Sequence, residues 1–383
     1  MLETQPNSLK KSSYKMNVPF VDLKVQYLSI KDEMDAAISH VLENTAFIGG
    51  SVVRDFEAAF CKEYGVRNCV SVANGTDAIY IAMKMLGIGA GDEVITVANS
   101  WISTSETITQ AGAKPVFVDI DEFFSIDASQ IEAKITSKTK AIIPVHLHGQ
   151  MTDIKTIKAI CEKHGLFLIE DCAQSHFSQF DGQLAGTFGN AGTFSFYPGK
   201  NLGAYGDAGC IITNDDELAQ KMRMYANHGS LKKHAHQIEG INSRLDGIQA
   251  AVLTVKLKHI RKWTEQRRAN AQKYSELLAD VAEIATPKVR PNSIHSYHLY
   301  VIRTKEREAL SEFLQSNGVE TAIHYPCILP MLPAYAYLSH SSSDFPAASD
   351  AQGQILSLPM FPELSAAQIE HVANSIKAFY SKK

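Results

Sequence analysis

Between Cys69 and Thr213, short apolar runs alternate with helical patterns of about ten residues, and this alternation narrows the possible folds more than any other feature. Cys69–Val72, Glu93–Val97, Pro115–Val118, Ala141–Val145, Leu166–Ile169, Phe194–Tyr197 and Gly209–Thr213 read as strands. Ala78–Leu86, Trp101–Ala111 and Ile154–His164 carry helical spacing between them, and Asp32–Leu42 and Val53–Tyr64 do so ahead of them. Strands that alternate with helices of this length imply a mostly parallel sheet covered on both faces, an α/β architecture.

The character changes beyond Asp246. Ile248–Leu278 reads as one long helix, or two with a small break, followed by a strand at Ser296–Arg303 and a helix at Lys305–Asn317. A strand at Thr321–Tyr325, a polar serine-rich loop at Ser339–Asp350 and an amphipathic helix at Gln368–Tyr380 complete the expectation. The implied division is a disordered extension over 1–17, a large α/β domain over 18–250 and a smaller C-terminal α+β domain over 251–383.

Composition excludes more than it assigns. A formal charge of −4 gives no nucleic-acid footprint, and the basic cluster Lys256–Arg268 has the spacing of a solvated helix face. Six cysteines stand singly with no Cys-x-x-Cys pair, which suits neither a zinc site nor a disulfide framework, so no metal is expected. Met1–Lys15 is polar with no apolar run after it, unlike a signal peptide, and no stretch approaches the length of a membrane span. The expectation is a soluble protein of a reducing compartment, the cytoplasm.

Four short segments fall where strands end. Asn74-Gly75-Thr76-Asp77 joins a strand to a helix, either as an ordinary helix cap or as backbone N–H groups cradling a phosphate. Trp101 opens a helix after a strand, placed to lie on a flat ring or to fill the core. Asp171 closes the run Leu168-Ile169-Glu170-Asp171 and belongs at the carboxyl edge of the sheet, where open α/β sheets bind ligands; a helix cap is the competing reading. Gln174 follows three residues later. Lys200 lies in a glycine-containing turn five residues after Ser195. Each alone has an ordinary structural reading. Together, and in that order, they are the parts pyridoxal phosphate (PLP) chemistry requires: an amine for the cofactor aldehyde, a carboxylate for the pyridine nitrogen and a phosphate turn.

With these segments the whole chain from about Val18 resembles the DegT/DnrJ/EryC1/StrS family of PLP-dependent nucleotide-sugar aminotransferases. Further matching motifs are Gly91-Asp92-Glu93-Val94-Ile95, Pro144 to Gln150, Gly240-Ile241-Asn242-Ser243-Arg244-Leu245-Asp246 and Leu356-Ser357-Leu358-Pro359. The resemblance implies fold type I, the aspartate aminotransferase architecture, with the large domain binding PLP. It implies that Lys200 is the Schiff-base lysine and proton shuttle, that Asp171 holds the pyridinium and that Gln174 meets the phenolic oxygen. Trp101 would stack on the ring, and Gly75, Thr76 and Ser195 would hold the phosphate. Asn242 would reach the phosphate of a neighbouring subunit, making the active site a property of a homodimer. His324, Tyr325 and Arg244 would line the sugar pocket.

The implied reaction moves an amino group from L-glutamate to a nucleotide-linked keto-sugar. The segment Tyr197 to Asp207 resembles the branch acting at C3 of a dTDP-3-keto-6-deoxyhexose, whose products enter surface polysaccharides or natural products. A C4-acting or UDP-sugar enzyme, an aminocyclitol aminotransferase and a non-catalytic PLP-binding regulator remain as alternatives. Relatives that carry histidine in place of the lysine are dehydratases; Lys200 sets this chain apart from them. Cys172 and His176-Phe177 depart from the common family pattern and are expected at the rear of the pocket.

Overall fold

The computed structural model describes residues 16–381, so most of the extension expected over 1–17 lies outside the described residues. Seven strands form the main sheet: β1 (Asn68–Val72), β2 (Glu93–Val97), β3 (Lys114–Val118), β4 (Thr139–Ile143), β5 (Phe167–Asp171), β6 (Ala191–Ser195) and β7 (Gly209–Thr213). They lie in the order β1-β7-β6-β5-β4-β2-β3. Strand β7 is antiparallel to both neighbours and every other pairing is parallel. The carboxyl ends of β1, β2, β5 and β6 therefore share one edge.

These strands are apolar in both registers, and the structure uses both. Ile142, Leu168 and Ile212 face one core cluster, while their neighbours Ile143, Ile169 and Ile211 face the other. Helices α1 (Gly50–Tyr64), α4 (Ile154–His164) and α6 (Gly247–Leu257) cover the first face. Helices α2 (Gly75–Met85), α3 (Ser103–Gln110) and α5 (Asp216–Ala226) cover the second. Period-two alternation with apolar side chains on both sides is what a sheet sandwiched between helices needs.

The expected long helix is two, α6 and α7 (Ile260–Leu278). Two antiparallel strands, β8 (Tyr300–Arg303) and β9 (Ile355–Leu358), carry a third cluster with Tyr274 and Leu278 of α7 and Ile369 and Val372 of the last helix, Ala366–Tyr380. Val18 joins that cluster through a bridge to Val319.

Three local expectations need correction. Thr321–Tyr325 is not a strand: Ala322 makes a single bridge to Ser357 and the chain then leaves β9 towards the carboxyl edge of the main sheet. The serine-rich stretch Ser339–Asp350 is not all loop, since Pro346–Gln352 is helical. Its proline suits a helix start, and Asp119 accepts from Ala347 N–H and Ala348 N–H at 2.8 Å each, a cap supplied from far along the chain. Finally, the Lys256–Arg268 face is not uniformly solvated. Lys256 and Arg267 are buried, donating to the carbonyl oxygens of Gly203 (2.7 Å) and Met360 (2.8 Å).

Candidate active site

A cavity of about 450 Å³ opens at the carboxyl edge of the sheet. Gly75, Thr76, Trp101, Asp171, Gln174, Ser195, Lys200, His324 and Tyr325 all line it, drawn from segments up to 250 residues apart in sequence.

The turn after β1 caps a helix and also borders the cavity. Asn74 caps α2 by accepting from Asp77 N–H at 2.8 Å, and the first residues of the helix still border the cavity. Gly75 packs so tightly on β6 that a Cβ there would sit 2.6 Å from the Ser195 Cβ. Only glycine lets the helix terminus and the Ser195 hydroxyl come together at one corner. Thr76 Oγ1 and Ser103 Oγ share a 2.7 Å hydrogen bond that ties α2 to α3.

Trp101 is 58% exposed and lines the cavity, which rules out the core reading; its ring lies 5.7 Å from that of Tyr325. Asp171 is buried and begins no helix. One carboxylate oxygen accepts from Thr104 Oγ1–H at 2.8 Å and the other from Ala173 N–H at 3.1 Å. Burial raises its proton affinity, while these bonds and the nearby Lys200 ammonium pull it back. Gln174 accepts from His148 N–H at 2.7 Å and donates to Tyr325 Oη at 2.9 Å, linking the sheet edge to the segment that leaves β9.

Lys200 is half-buried, and burial pushes its amine down to about 8, with Asp171 acting in the opposite sense. The same burial holds His148 at about 3 and His324 at about 4, so both imidazoles are neutral near pH 7. Lys200 is left as the group in this cavity best matched to proton transfer near neutrality. Its turn is anchored from behind: Lys256 holds the Gly203 carbonyl, and Asn201 donates to Ser296 O at 3.1 Å.

The donor set fits PLP. An amine that is substantially unprotonated at mildly alkaline pH, a buried carboxylate, an exposed indole and a helix terminus beside a serine all face one space of suitable size.

Two sequence candidates stand apart. Asn242 and Arg244 are exposed and do not border this cavity; Arg244 lines a separate depression of about 290 Å³ with Ile48 and Leu231. Cys172 and His176 are buried in the core rather than at the cavity wall. Thr104 and Ser100 escaped the sequence reading, although Ser100–Thr109 holds six hydroxyls, more than an ordinary helix needs.

Behind the sheet, His146, Glu170 and Cys172 lie close enough to hold a metal ion, but their atoms are already committed. His146 Nδ1 accepts from Thr152 N–H, so Nε2–H donates to Glu170 at 3.0 Å. The Glu170 carboxylate also accepts from the N–H groups of Gly186, Phe188 and Gly189. This is a satisfied structural network.

Comparison with known proteins gives the chain a family. The model of the DegT/DnrJ/EryC1/StrS aminotransferase family matches residues 28–377. A pleiotropic regulatory protein of Geobacillus stearothermophilus is 46% identical, the match covering 95% of this chain and 99% of that protein. A UDP-2-acetamido-2-deoxy-3-oxo-D-glucuronate aminotransferase of Pseudomonas aeruginosa is 41% identical over 94% of this chain and 99% of its own. A dTDP-3-amino-3,6-dideoxy-alpha-D-galactopyranose transaminase of Aneurinibacillus thermoaerophilus is 40% identical over 94% and 99%. Among solved structures, S. venezuelae DesV, crystallised with a ketimine intermediate, superposes with a TM-score of 0.92 at 37% identity, covering 95% of this chain and 98% of that one.

Proposed function

Because this chain belongs to the DegT/DnrJ/EryC1/StrS family of PLP-dependent aminotransferases, we propose that it transfers the amino group of L-glutamate to C3 of a nucleotide-linked 3-keto-sugar, with a dTDP-3-keto-6-deoxyhexose as the favoured acceptor. The observation that carries the reading is the pairing of Lys200, its amine depressed to about 8, with the buried Asp171 across one cavity.

Bound here, the cofactor supplies an aldehyde that exchanges amines and a ring that withdraws electrons. In the proposed roles, Lys200 holds that aldehyde at rest and afterwards moves a proton at the reacting carbon. Asp171 keeps the ring nitrogen protonated. Trp101 covers one ring face, Gln174 meets the phenolic oxygen, and Gly75, Thr76 and Ser195 hold the phosphate. His324 and Tyr325 border the space left for the sugar. One site serves donor and acceptor in turn, so the kinetics are ping-pong.

The proposal extends to a homodimer in the cytoplasm. Lys200 is the one lysine or arginine among the described residues lining the cavity, yet both substrates are anionic. Exposed Phe47, Ile48 and Leu231, near Asn242 and Arg244, suit a second copy that brings polar groups to its neighbour's site. No described helix is long and apolar enough to cross a membrane. The same reading assigns residues 18–250 to a large cofactor-carrying domain and 251–383 to a smaller one.

A second reading, a PLP-binding regulator, draws on the name of the 46% identical relative. One titration separates the two. Glutamate should convert the visible band of the PLP-loaded protein to the near-ultraviolet band of the aminated cofactor, and the correct keto-sugar should restore it. A visible band that glutamate leaves unchanged contradicts the proposed function and favours the regulator, whereas loss of the band with no recovery from any dTDP- or UDP-linked 3-keto-sugar contradicts the proposed acceptor.

A further inference from the structure

Helix hydroxyls ordinarily bond back to a carbonyl one turn earlier. In α3, Thr107 does so to Ser103 O (2.8 Å), Ser105 to Ile102 O (3.1 Å) and Thr109 to Glu106 O (2.8 Å). Thr104 breaks the pattern. Its Oγ1 lies 2.8 Å from Asp171 Oδ2, and Ser100 Oγ lies 3.0 Å from the same Thr104 oxygen. An ionised carboxylate only accepts, so Thr104 donates to Asp171 and is left to accept from Ser100. The result is a one-way relay, Ser100 to Thr104 to Asp171, with the three residues 3%, 1% and 5% exposed respectively.

We infer that the Ser100–Thr104 relay is a positioning element of the transamination, keeping the Asp171 carboxylate ionised and fixed in rotation for the ring nitrogen of bound PLP. The inference rests on Asp171 meeting that nitrogen. Burial favours the protonated carboxyl, which is useless to a pyridinium, and the Thr104 bond is one of the contacts that oppose it. A charge-assisted bond between buried groups is stronger than a neutral one, and a polarised donor strengthens it again. The other titratable groups facing Asp171 are Lys200, His146, Cys172 and Tyr325. Of these, Lys200 is needed for the reaction, and His146 is already committed to Glu170. The relay leaves the reaction's own groups free of that task.

The test uses PLP-loaded full-length protein and follows the pH at which the visible band of the bound cofactor converts. In Thr104→Val the carboxylate loses a donor and becomes more basic, the ring nitrogen holds its proton less firmly, and the ring withdraws less. The conversion should move up by about one pH unit and kcat should fall about tenfold with KM little changed. Thr104→Ser keeps the donor and should titrate as the native protein does. An unshifted Thr104→Val, or a Thr104→Ser shifted equally, overturns the inference. Should Thr104→Val fail to fold, Ser100→Ala must shift the conversion in the same direction by a smaller amount, and no shift overturns the inference. Asp171→Asn is the control: if it titrates like the native protein, the Asp171 assignment itself falls, whereas a shift there with none at Thr104 sinks the relay alone.

Discussion

Glu170 and Asp171 are consecutive carboxylates at the end of β5, turned to opposite faces of the sheet and used in opposite ways. Glu170 accepts four hydrogen bonds, one from His146 and three from backbone N–H groups of residues 186–189, and every donor belongs to the fold. Asp171 accepts two and borders the cavity with Lys200 across from it. The first network is closed within the fold; the second borders a cavity, and the proposed function gives it the cofactor's ring nitrogen. Equal burial does not make equal roles: what separates them is whether the lone pairs are spent.

Substitutions sharpen that contrast. Lys200→Ala should lower transamination about 10⁴-fold, through loss of the proton carrier, while the melting temperature changes little. An active Lys200→Ala protein would break the assignment. Asp171→Asn should cost about 10³-fold in kcat with modest effect on stability. Glu170→Gln should do the reverse. Mispairing a buried network costs about 3 kcal/mol of stability, read by denaturant melts, with kcat of the folded fraction near native. If Glu170→Gln damaged kcat as Asp171→Asn does, the two faces would not be functionally distinct.

The lysines offer a parallel pair and the smallest effect. Lys256, like Lys200, is pushed down to about 8 by burial, but it serves the Gly203 carbonyl rather than the cavity. A lysine whose folded pKa lies below its unfolded value carries a penalty below the folded pKa, relieved as pH rises from about 8 towards 10.5. Lys256→Met should therefore compare best with the native protein near pH 7. Chemical denaturation should show that balance moving by about 2–3 kcal/mol in favour of the native protein between pH 7 and 10.5. A flat difference across that window would mean that burial leaves the Lys256 amine at its unfolded proton affinity.

The parts legible in sequence were those where local pattern and tertiary role coincide. Glu93–Val97, Gly209–Thr213 and Ile154–His164 were bounded to the residue because apolar period and turn chemistry agree there. Most of the predicted site converges for a related reason, since strand ends on one edge of a parallel sheet bring distant segments together. Long-range contacts were not legible. The helix at Pro346–Gln352 is capped by Asp119, Lys256 reaches a carbonyl 53 residues away, and Thr104 turns to a carboxylate 67 residues on. A lysine in a basic cluster or a threonine in a helix reads the same whether it faces solvent or a buried acceptor. Asn242 and Arg244 lie away from their own chain's cavity, and a single sequence does not say which chain they serve.

The central assignment is that Lys200 carries the cofactor, and borohydride reduction of the PLP-loaded protein followed by peptide mass spectrometry tests it most directly. The expected result is a phosphopyridoxyl group on the peptide containing Lys200, absent when glutamate is added before the borohydride. Modification of a different lysine, or none in a protein that retains the visible band, would contradict it.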